Sequence, residues 1–275
     1  MLYSMDEHVP TLLCVDDDPV VLQVLKEYFT LQGFGVVTAR TGVEAFLHVV
    51  RWAPQAVILD VFMPRLGGLD ALKRIKKLDP EILVILISGV PNALEMLSEA
   101  GLTVAGAFTK PVSLDRIAEV LARAGVTPSR TSPNAAPGDI PAQARRATRI
   151  RALVVDDEPE VREMLTDYLR ENGFEAVGVW DGEEALRRMP GFRPHIILLD
   201  ILMPGLSGVE TLRRIKTRLQ ETCVIVITGH EDVETARRTL ELGAVDYLRK
   251  PVDLGTMDSL LGIHPGQRPD RPPST

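Results

Sequence analysis

The stretch VILDVFMPRLGG, residues 57–68, decides the fold of the first half of this chain. An apolar run leads into Asp60, and a proline and two glycines follow. A second stretch, ILLDILMPGLSG, residues 197–208, repeats the pattern 140 positions later with Asp200 in the same place. Continuous apolar runs of this kind are typical of strands buried on both faces of a parallel sheet. A carboxylate that ends such a strand, in two copies, indicates a functional site at the sheet edge.

The same duplication extends over most of the chain. Matched pairs at the same offset include Asp16 and Asp156, Asp17 and Asp157, Pro19 and Pro159, Gly33 and Gly173, Gly42 and Gly182, and Lys110 and Lys250. Solenoid repeats have periods of roughly 20–50 residues, so an offset of 140 residues indicates a duplicated domain instead. We therefore predict one domain over residues 10–125 and a second over 150–262. Segment 126–149 is expected to be a flexible linker, and 263–275 a disordered tail.

Within each copy, short apolar runs alternate with helical stripes. The stripes follow helical spacing and comprise Val21, Val24, Leu25, Tyr28 and Phe29 in the first copy, and Val161, Met164, Leu165, Tyr168 and Leu169 in the second. Pro19 and Pro159 suit the first turn of a helix, and Gly33 and Gly173 suit its end. About five strand–helix pairs in each copy predict two α/β domains, each with an open, doubly wound parallel sheet.

Polar residues follow the strands of both copies at matched positions. They are Asp16, Asp17, Asp60, Ser88 and Lys110 in the first copy, and Asp156, Asp157, Asp200, Thr228 and Lys250 in the second. The successive spacings are 44, 28 and 22 residues in both copies, counted from the first aspartate. Because ligands bind beyond the carboxyl ends of the strands in such sheets, we expect these side chains to converge.

Three carboxylates in one crevice repel each other and stay ionised near neutral pH only beside a cation. One lysine is too little, and oxygen-only ligands favour Mg²⁺ or Mn²⁺ over zinc. A carboxylate can also act as a nucleophile and form an acyl phosphate. A single aspartate after a strand is usually a cap or turn residue. The repeated four-part pattern instead favours Asp60 and Asp200 as nucleophiles beside a metal site.

The chain resembles the receiver domains of bacterial two-component response regulators. The motifs that carry the resemblance are VDDDP and VDDEP, LDVFMPRLGG and LDILMPGLSG, ISG and ITG, and TKP and RKP. They span about residues 10–125 and 150–262. The resemblance implies two flavodoxin-like (βα)5 domains with strand order 2-1-3-4-5.

The resemblance also implies a role for each residue at the strand ends. A sensor histidine kinase or a histidine phosphotransfer protein would phosphorylate Asp60 and Asp200, with Mg²⁺ (or Mn²⁺) as cofactor. Ser88 and Thr228 would be switch hydroxyls, and Lys110 and Lys250 would bind the phosphoryl group. The metal ligands would be Asp16, Asp17, Asp60 and the backbone carbonyl of Phe62 in one copy, and Asp156, Asp157, Asp200 and the carbonyl of Leu202 in the other. Asp17 and Asp157 would be the direct ligands of each acidic pair.

The two copies differ at the aromatic position that the family usually has three residues before the lysine. Tyr247 occupies it in the second copy, whereas the first has Ala107 there and Phe108 one place later. Nine residues separate Gly101 from the lysine, against seven after Gly243, which predicts a shorter fourth helix in the first copy. We expect the two domains to share their chemistry and to signal through different surfaces.

Phe62 and Leu202, two positions after each nucleophile, are apolar. We expect them to shield an acyl phosphate from water. Haloacid dehalogenase-type phosphatases, a remote alternative with an aspartyl-phosphate intermediate, place a proton-transferring aspartate at that position, and neither residue can take that role. His230 could orient water in the second copy, although a solvated loop histidine is the simpler interpretation.

The 24 residues after Pro251 are too few for a DNA-binding effector, so we expect none to be appended. The prediction is a signalling protein rather than an enzyme. Phosphorylation would change its binding to a downstream protein partner or to a second copy in a homodimer. A role as a phosphate sink, or as a relay intermediate for another regulator, stays open beside this one.

Net charge and hydropathy argue against two classes of partner, nucleic acid and membranes. A net charge of −7 and a pI near 5.4 make nucleic acid an improbable ligand, and the short basic run Arg145, Arg146, Arg149 and Arg151 is interpreted as linker. No apolar segment approaches the ~20 residues that span a bilayer, and the N-terminus lacks a secretory signal. We therefore expect a cytoplasmic protein without membrane contact. Cys14 and Cys223 are interpreted as reduced core thiols.

Overall fold

The chain forms two compact units, residues 1–148 and 149–275, in the computed structural model. The structure describes residues 9–63, 66–89, 97, 101–128, 148–229 and 233–263. Each unit contains a five-stranded sheet in which every neighbouring pair of strands is parallel. The strand order is 2-1-3-4-5 in both sheets, counted along each unit. The predicted fold class is therefore confirmed.

The first unit has the following elements. Its strands are β1 (Thr11–Val15), β2 (Gly35–Ala39), β3 (Ala56–Asp60), β4 (Leu83–Ser88) and β5 (Gly106–Thr109). Its described helices are α1 (Pro19–Leu31), α2 (Gly42–Trp52), α3 (Gly68–Leu78) and α4 (Leu114–Arg123). The predicted helix between β4 and β5, and with it the expectation that it is short, lies outside the described residues, apart from Leu97 and Gly101.

The second unit repeats this order. Its strands are β6 (Arg151–Val155), β7 (Glu175–Val179), β8 (Ile196–Asp200), β9 (Cys223–Thr228) and β10 (Asp246–Arg249). Its described helices are α5 (Pro159–Glu171), α6 (Gly182–Phe192), α7 (Gly208–Arg218), α8 (Val233–Glu241) and α9 (Leu254–Leu261).

The core lies on both faces of each sheet, because the central strands are apolar at every position between their first and last residues. In the first sheet, Leu13 and Leu59 belong to one buried cluster, and Leu12 and Ile58 belong to another. Successive residues of a strand point to opposite faces, so each strand contributes to both clusters. All five residues of β3 are buried, including the aspartate at its end. The strand thus places its one polar side chain at its carboxyl end.

The ends of the first helix follow the sequence signals. Pro19 and Pro159 are the first residues of α1 and α5. Gly33 and Gly173, just beyond these helices, have φ of 93° and 83°, a left-handed conformation that glycine adopts without strain. These turns bring the chain back into β2 and β7.

Three other predictions from the sequence concern the cysteines, membrane-spanning segments, and the linker and tail. Both cysteines are buried and free, and burial raises the pKa of Cys14 to about 12. Across the described part of the chain, every helix is too short or too polar to span a bilayer. The linker prediction falls largely on residues 129–147 and the tail prediction on 264–275, which lie outside the described residues.

Candidate functional site

Asp60 and Asp200 are the last residues of β3 and β8 and lie almost fully out of solvent, at 5% and 2% exposure. One carboxylate oxygen of each, Oδ1, accepts the backbone N–H two residues on, at 3.2 Å from Phe62 and 2.9 Å from Leu202. The other oxygen, Oδ2, faces the lysine of its own unit. Each carboxylate is therefore held by its own loop, with Oδ2 turned to a cation.

The lysines lie directly after the fifth strands and reach back to the aspartates. Lys110 Nζ is 2.8 Å from Asp60 Oδ2 and 2.7 Å from Asp16 Oδ2. In the second unit, Lys250 Nζ is 2.6 Å from Asp200 Oδ2 and 3.0 Å from Asp156 Oδ2. The structure thus brings together side chains that are 50 and 94 residues apart in sequence.

The lysine pKa values reflect this contact. Burial alone would lower the pKa of Lys110, but hydrogen bonds to Asp16 and Asp60 outweigh it, so the pKa lies above its usual value. The same balance raises the pKa of Lys250, whose partners include Asp200 and Asp156. Both lysines therefore remain cationic at neutral pH. The peptide bonds to the prolines that follow them are cis.

A cluster of carboxylates surrounds each lysine. In the first unit, Asp16, Asp17 and Asp60 have ligand oxygens within 4.8 Å of one another. Burial raises the pKa of Asp16, although its bond to Lys110 acts in the opposite direction. The donors are all oxygen, and they outnumber the single lysine. This is the donor set that Mg²⁺ or Mn²⁺ prefers, so the cluster fits such an ion.

The corresponding cluster in the second unit has a different membership. It contains Asp156, Glu158 and Asp200, again with oxygens within 4.8 Å. Burial raises the pKa of Asp156, although its bond to Lys250 lowers it. Asp157 lies outside this group, so its role as a direct ligand stays a prediction, as do the carbonyl roles of Phe62 and Leu202. Glu158 was missed because sequence reasoning stopped at the acidic pair, although a third acidic residue follows in both copies.

Ser88 and Thr228 end β4 and β9, which pair with β3 and β8. Both are buried, at 1% and 6% exposure. Their backbone carbonyls accept the N–H groups of Lys110 and Lys250 at 2.7 and 2.9 Å. Each hydroxyl residue is thus tied through the backbone to the lysine of its site. His230 lies outside the described residues.

Gly68 and Gly208 are structural parts of the site that the sequence marked only as glycines in the loop after each aspartate. They begin α3 and α7, and their backbone passes directly against the strand end that carries Asp60 or Asp200. A Cβ atom on Gly68 would lie 1.9 Å from the carbonyl oxygen of Asp60, and one on Gly208 would lie 2.2 Å from that of Asp200. Only glycine fits such an approach. Their matched positions in the two copies were the available signal.

The aromatic position differs between the units as the sequence indicated. Ala107 pairs with Leu86 and packs against the same core cluster as Leu86. Phe108 belongs to the opposite face of the sheet, where it packs against the other cluster with its ring 5.2 Å from the Arg116 guanidinium. Phe108 therefore does not replace the aromatic side chain at Ala107. In the second unit, Tyr247 is 43% exposed.

A family model described as "Response regulator receiver domain" matches residues 12–122 and 152–261. The two matches cover both sheets and both sites.

Individual relatives match less than half of this chain, over 102 to 131 residues. The regulatory protein AtoC of Escherichia coli is 37% identical over 111 residues, which are 40% of this chain and 24% of that protein. The DNA-binding response regulator MtrA of Mycolicibacterium smegmatis is 38% identical over 103 residues, 38% of this chain and 45% of the relative. A response regulator receiver protein from Pseudomonas putida, of known structure, is 38% identical over 43% of this chain and 99% of its own, with a TM-score of 0.41. The matches to AtoC and MtrA thus span less than half of those proteins.

Proposed function

This chain belongs to the response regulator receiver domain family, and from that membership we propose that it accepts phosphoryl groups on both Asp60 and Asp200 in two-component signalling. The observation that carries the proposal is the contact of a partly buried lysine with a buried carboxylate at the end of the third strand, at 2.8 and 2.6 Å in the two units. The donor is a phosphohistidine of a sensor kinase or a phosphotransfer protein.

The step is a displacement at phosphorus. Asp60 or Asp200 attacks with a carboxylate oxygen, the bond from phosphorus to the histidine nitrogen breaks, and the released imidazole takes a proton from solvent. The oxygen oriented toward the lysine is Oδ2, whereas the backbone N–H of Phe62 or Leu202 holds Oδ1. Lys110 and Lys250 supply positive charge where phosphoryl oxygens develop negative charge, which is the main demand of phosphoryl transfer.

The carboxylate clusters are the proposed sites for Mg²⁺ or Mn²⁺. Asp16, Asp17 and Asp60 would hold the ion in the first unit, and Asp156 and Asp200 would do so in the second. A divalent cation held there would supply neutralisation of the charge on the transferred phosphoryl group.

The output is a change in protein binding. Ser88 and Thr228 are buried next to the nucleophiles, so a phosphoryl group can draw in their hydroxyls and shift the population of each unit. Tyr247 is exposed on β10 and can report this shift at the surface, whereas Ala107 offers no such side chain. The two units are thus proposed to regulate different partner surfaces.

Phosphorylation of single-site variants tests the proposal. The full-length chain, Asp60→Ala, Asp200→Ala and the double variant are incubated with acetyl phosphate and with a panel of histidine kinases. We expect each single variant to accept one phosphoryl group per chain, and the double variant none. Asp70→Ala, which changes an exposed carboxylate of α3, is the matched control and should label like the parent. Undiminished labelling of the double variant, or no labelling of the parent, would contradict the proposal.

A further inference from the structure

The residue after the acidic pair is used differently in the two units. Asp18 caps α1, because its Oδ1 accepts the Val20 N–H at 2.8 Å. Glu158 stands at the same position before α5 but makes no side-chain cap. Its Oε1 instead lies 2.6 Å from Lys250 Nζ. One extra methylene group therefore turns a helix cap into a partner of the functional lysine.

Among the described residues, Lys250 is consequently held by three carboxylates, whereas Lys110 is held by two. The partners of Lys250 are Asp200, Asp156 and Glu158, all within 3.0 Å. Its side chain is 16% exposed, compared with 29% for Lys110. Two of its partners are buried in the sheet edge, but the Glu158 side chain is 59% exposed. Glu158 therefore approaches the lysine from the open side of the site.

Arg162 supports the loop that carries Glu158. Its Nη1 donates to the carbonyl of Asp156 at 2.8 Å. Gly178 on β7 leaves room for this side chain, since a Cβ there would meet Arg162 Cγ at 2.8 Å. The first unit has Leu22 and Thr38 at the two corresponding positions. The second site thus differs from the first at several linked positions. Arg162 supports its loop, and Glu158 contacts its lysine.

A phosphoryl group on Asp200 would bind the Lys250 ammonium group, which already pairs with Glu158. Its oxygens carry up to about two negative charges and compete with Glu158 for Lys250. We propose that Glu158 is a positioning residue of the second site. It binds Lys250 in competition with the incoming phosphoryl group, and Asp200 is therefore phosphorylated more slowly than Asp60. This inference rests on the proposed function and assigns the order in which its two sites fill.

Reciprocal substitutions test this in the full-length chain. In an Asp60→Ala background, Glu158→Asp gives the second site the residue of the first. In an Asp200→Ala background, Asp18→Glu does the reverse. The donor is acetyl phosphate, which transfers its phosphoryl group to the aspartate and leaves as acetate. We expect Glu158→Asp and Glu158→Gln to speed labelling about two- to five-fold, the range for an exposed ion pair, and Asp18→Glu to slow it similarly.

Two further measurements separate positioning from other roles. The ¹⁵N-edited NMR signal of the Lys250 ammonium group, assigned with Lys250→Arg, should shift in Glu158→Asp and Glu158→Gln without any donor present. Mg²⁺ affinity, measured by calorimetry, should change less than about ten-fold.

Three results would overturn the inference: unchanged labelling rates, an unmoved ammonium signal, or a larger loss of Mg²⁺ affinity with slower labelling, which would make Glu158 a metal ligand. Absence of labelling in the parent would instead count against the proposed function, since the ammonium signal would still report the Glu158–Lys250 contact.

Discussion

Phe62 and Leu202 keep about half of their side chains exposed, at 49% and 54%, although each lies two residues after a buried carboxylate. Their backbones hold the nucleophiles, so their side chains are free to cover the mouth of the site. An apolar side chain there cannot fix a water molecule for attack on an acyl phosphate. We therefore expect the two residues to favour a long-lived phosphorylated state.

We expect Leu202→Asn to speed loss of phosphate from Asp200. An amide can hold the attacking water, so the decay rate should rise roughly two- to ten-fold, the rate equivalent of one hydrogen bond. The measurement is the decay of labelled protein in the Asp60→Ala background. Leu240→Asn, which changes a 43% exposed leucine near the far end of α8, should leave the rate unchanged. Equal decay in parent and Leu202→Asn would refute the shielding role.

His195 gives the second unit a titratable group at a position where the first unit has none. Burial and the nearby Arg151 lower its pKa from 6.5 to about 4. The ring faces two donors, the Arg151 backbone N–H at 3.0 Å and its guanidinium at 3.2 Å, so protonation is opposed. The first unit has Gln55 at this place, where its side-chain oxygen accepts the Thr11 N–H.

Acid should therefore destabilise the second unit through His195. Above about pH 6.5 the ring is neutral in both the folded and unfolded states, and the full stability is present. Between pH 6.5 and 4 only the unfolded chain gains the proton, so stability falls by about 1–2 kcal/mol after allowance for partial exposure. His195→Gln should remove this part of the pH dependence. Hydrogen exchange resolved by unit would measure it, and identical pH profiles for parent and variant would show that His195 plays no part.

At the scale of elements, the decisive contact is between a helix start and a strand end. α7 begins against the carbonyl of Asp200, and the Gly208 N–H donates to the carbonyl of Ile201 at 3.2 Å. α3 repeats this with Gly68 and Val61 at 3.0 Å. The approach fixes the loop that carries Phe62 or Leu202, and with it the orientation of the nucleophile.

Gly208→Ala should damage both the stability and the chemistry of the second unit. The added methyl group meets backbone that cannot move away cheaply, so we expect a loss of about 1–3 kcal/mol and slower phosphorylation of Asp200. Chemical denaturation and labelling measure the two effects. Gly191→Ala in α6 is the control, because its Cβ meets nothing within 4 Å and should be neutral or mildly stabilising. If Gly208→Ala is as stable as the parent, the backbone at Asp200 can move to accommodate the methyl group, and the prediction is wrong.

At the scale of the whole molecule, two acidic sites predict two cation-dependent units. Mg²⁺ bound only to folded sites should stabilise each by about 2.7 kcal/mol at a hundred times its dissociation constant. Removal with EDTA should reverse this and stop phosphorylation. Asp200→Ala should abolish the response in the second unit only, as read by hydrogen exchange. Equal stabilisation by a monovalent salt at matched ionic strength would show screening rather than binding.

The sequence by itself determined the duplication, the doubly wound parallel fold and the convergence of matched strand-end residues on one edge. These follow from local rules: apolar runs of strand length, prolines and glycines at helix ends, and the geometry of parallel sheets. Asp60, Ser88 and Lys110 could be placed together because their strands can end in only one region. The spacing agreed in the second copy, which made the inference secure without knowledge of any side-chain contact.

Only the tertiary structure decided which side chains touch. Asp18 and Glu158 look equivalent in sequence, yet one caps a helix and the other holds Lys250, because a single methylene group changes their reach. Phe108 looked like a displaced aromatic residue, but strand alternation sends it to the opposite face from Ala107. Gly68 and Gly208 are required by a contact between two backbones. Such contacts depend on distances of an ångström or less, which a sequence pattern does not contain.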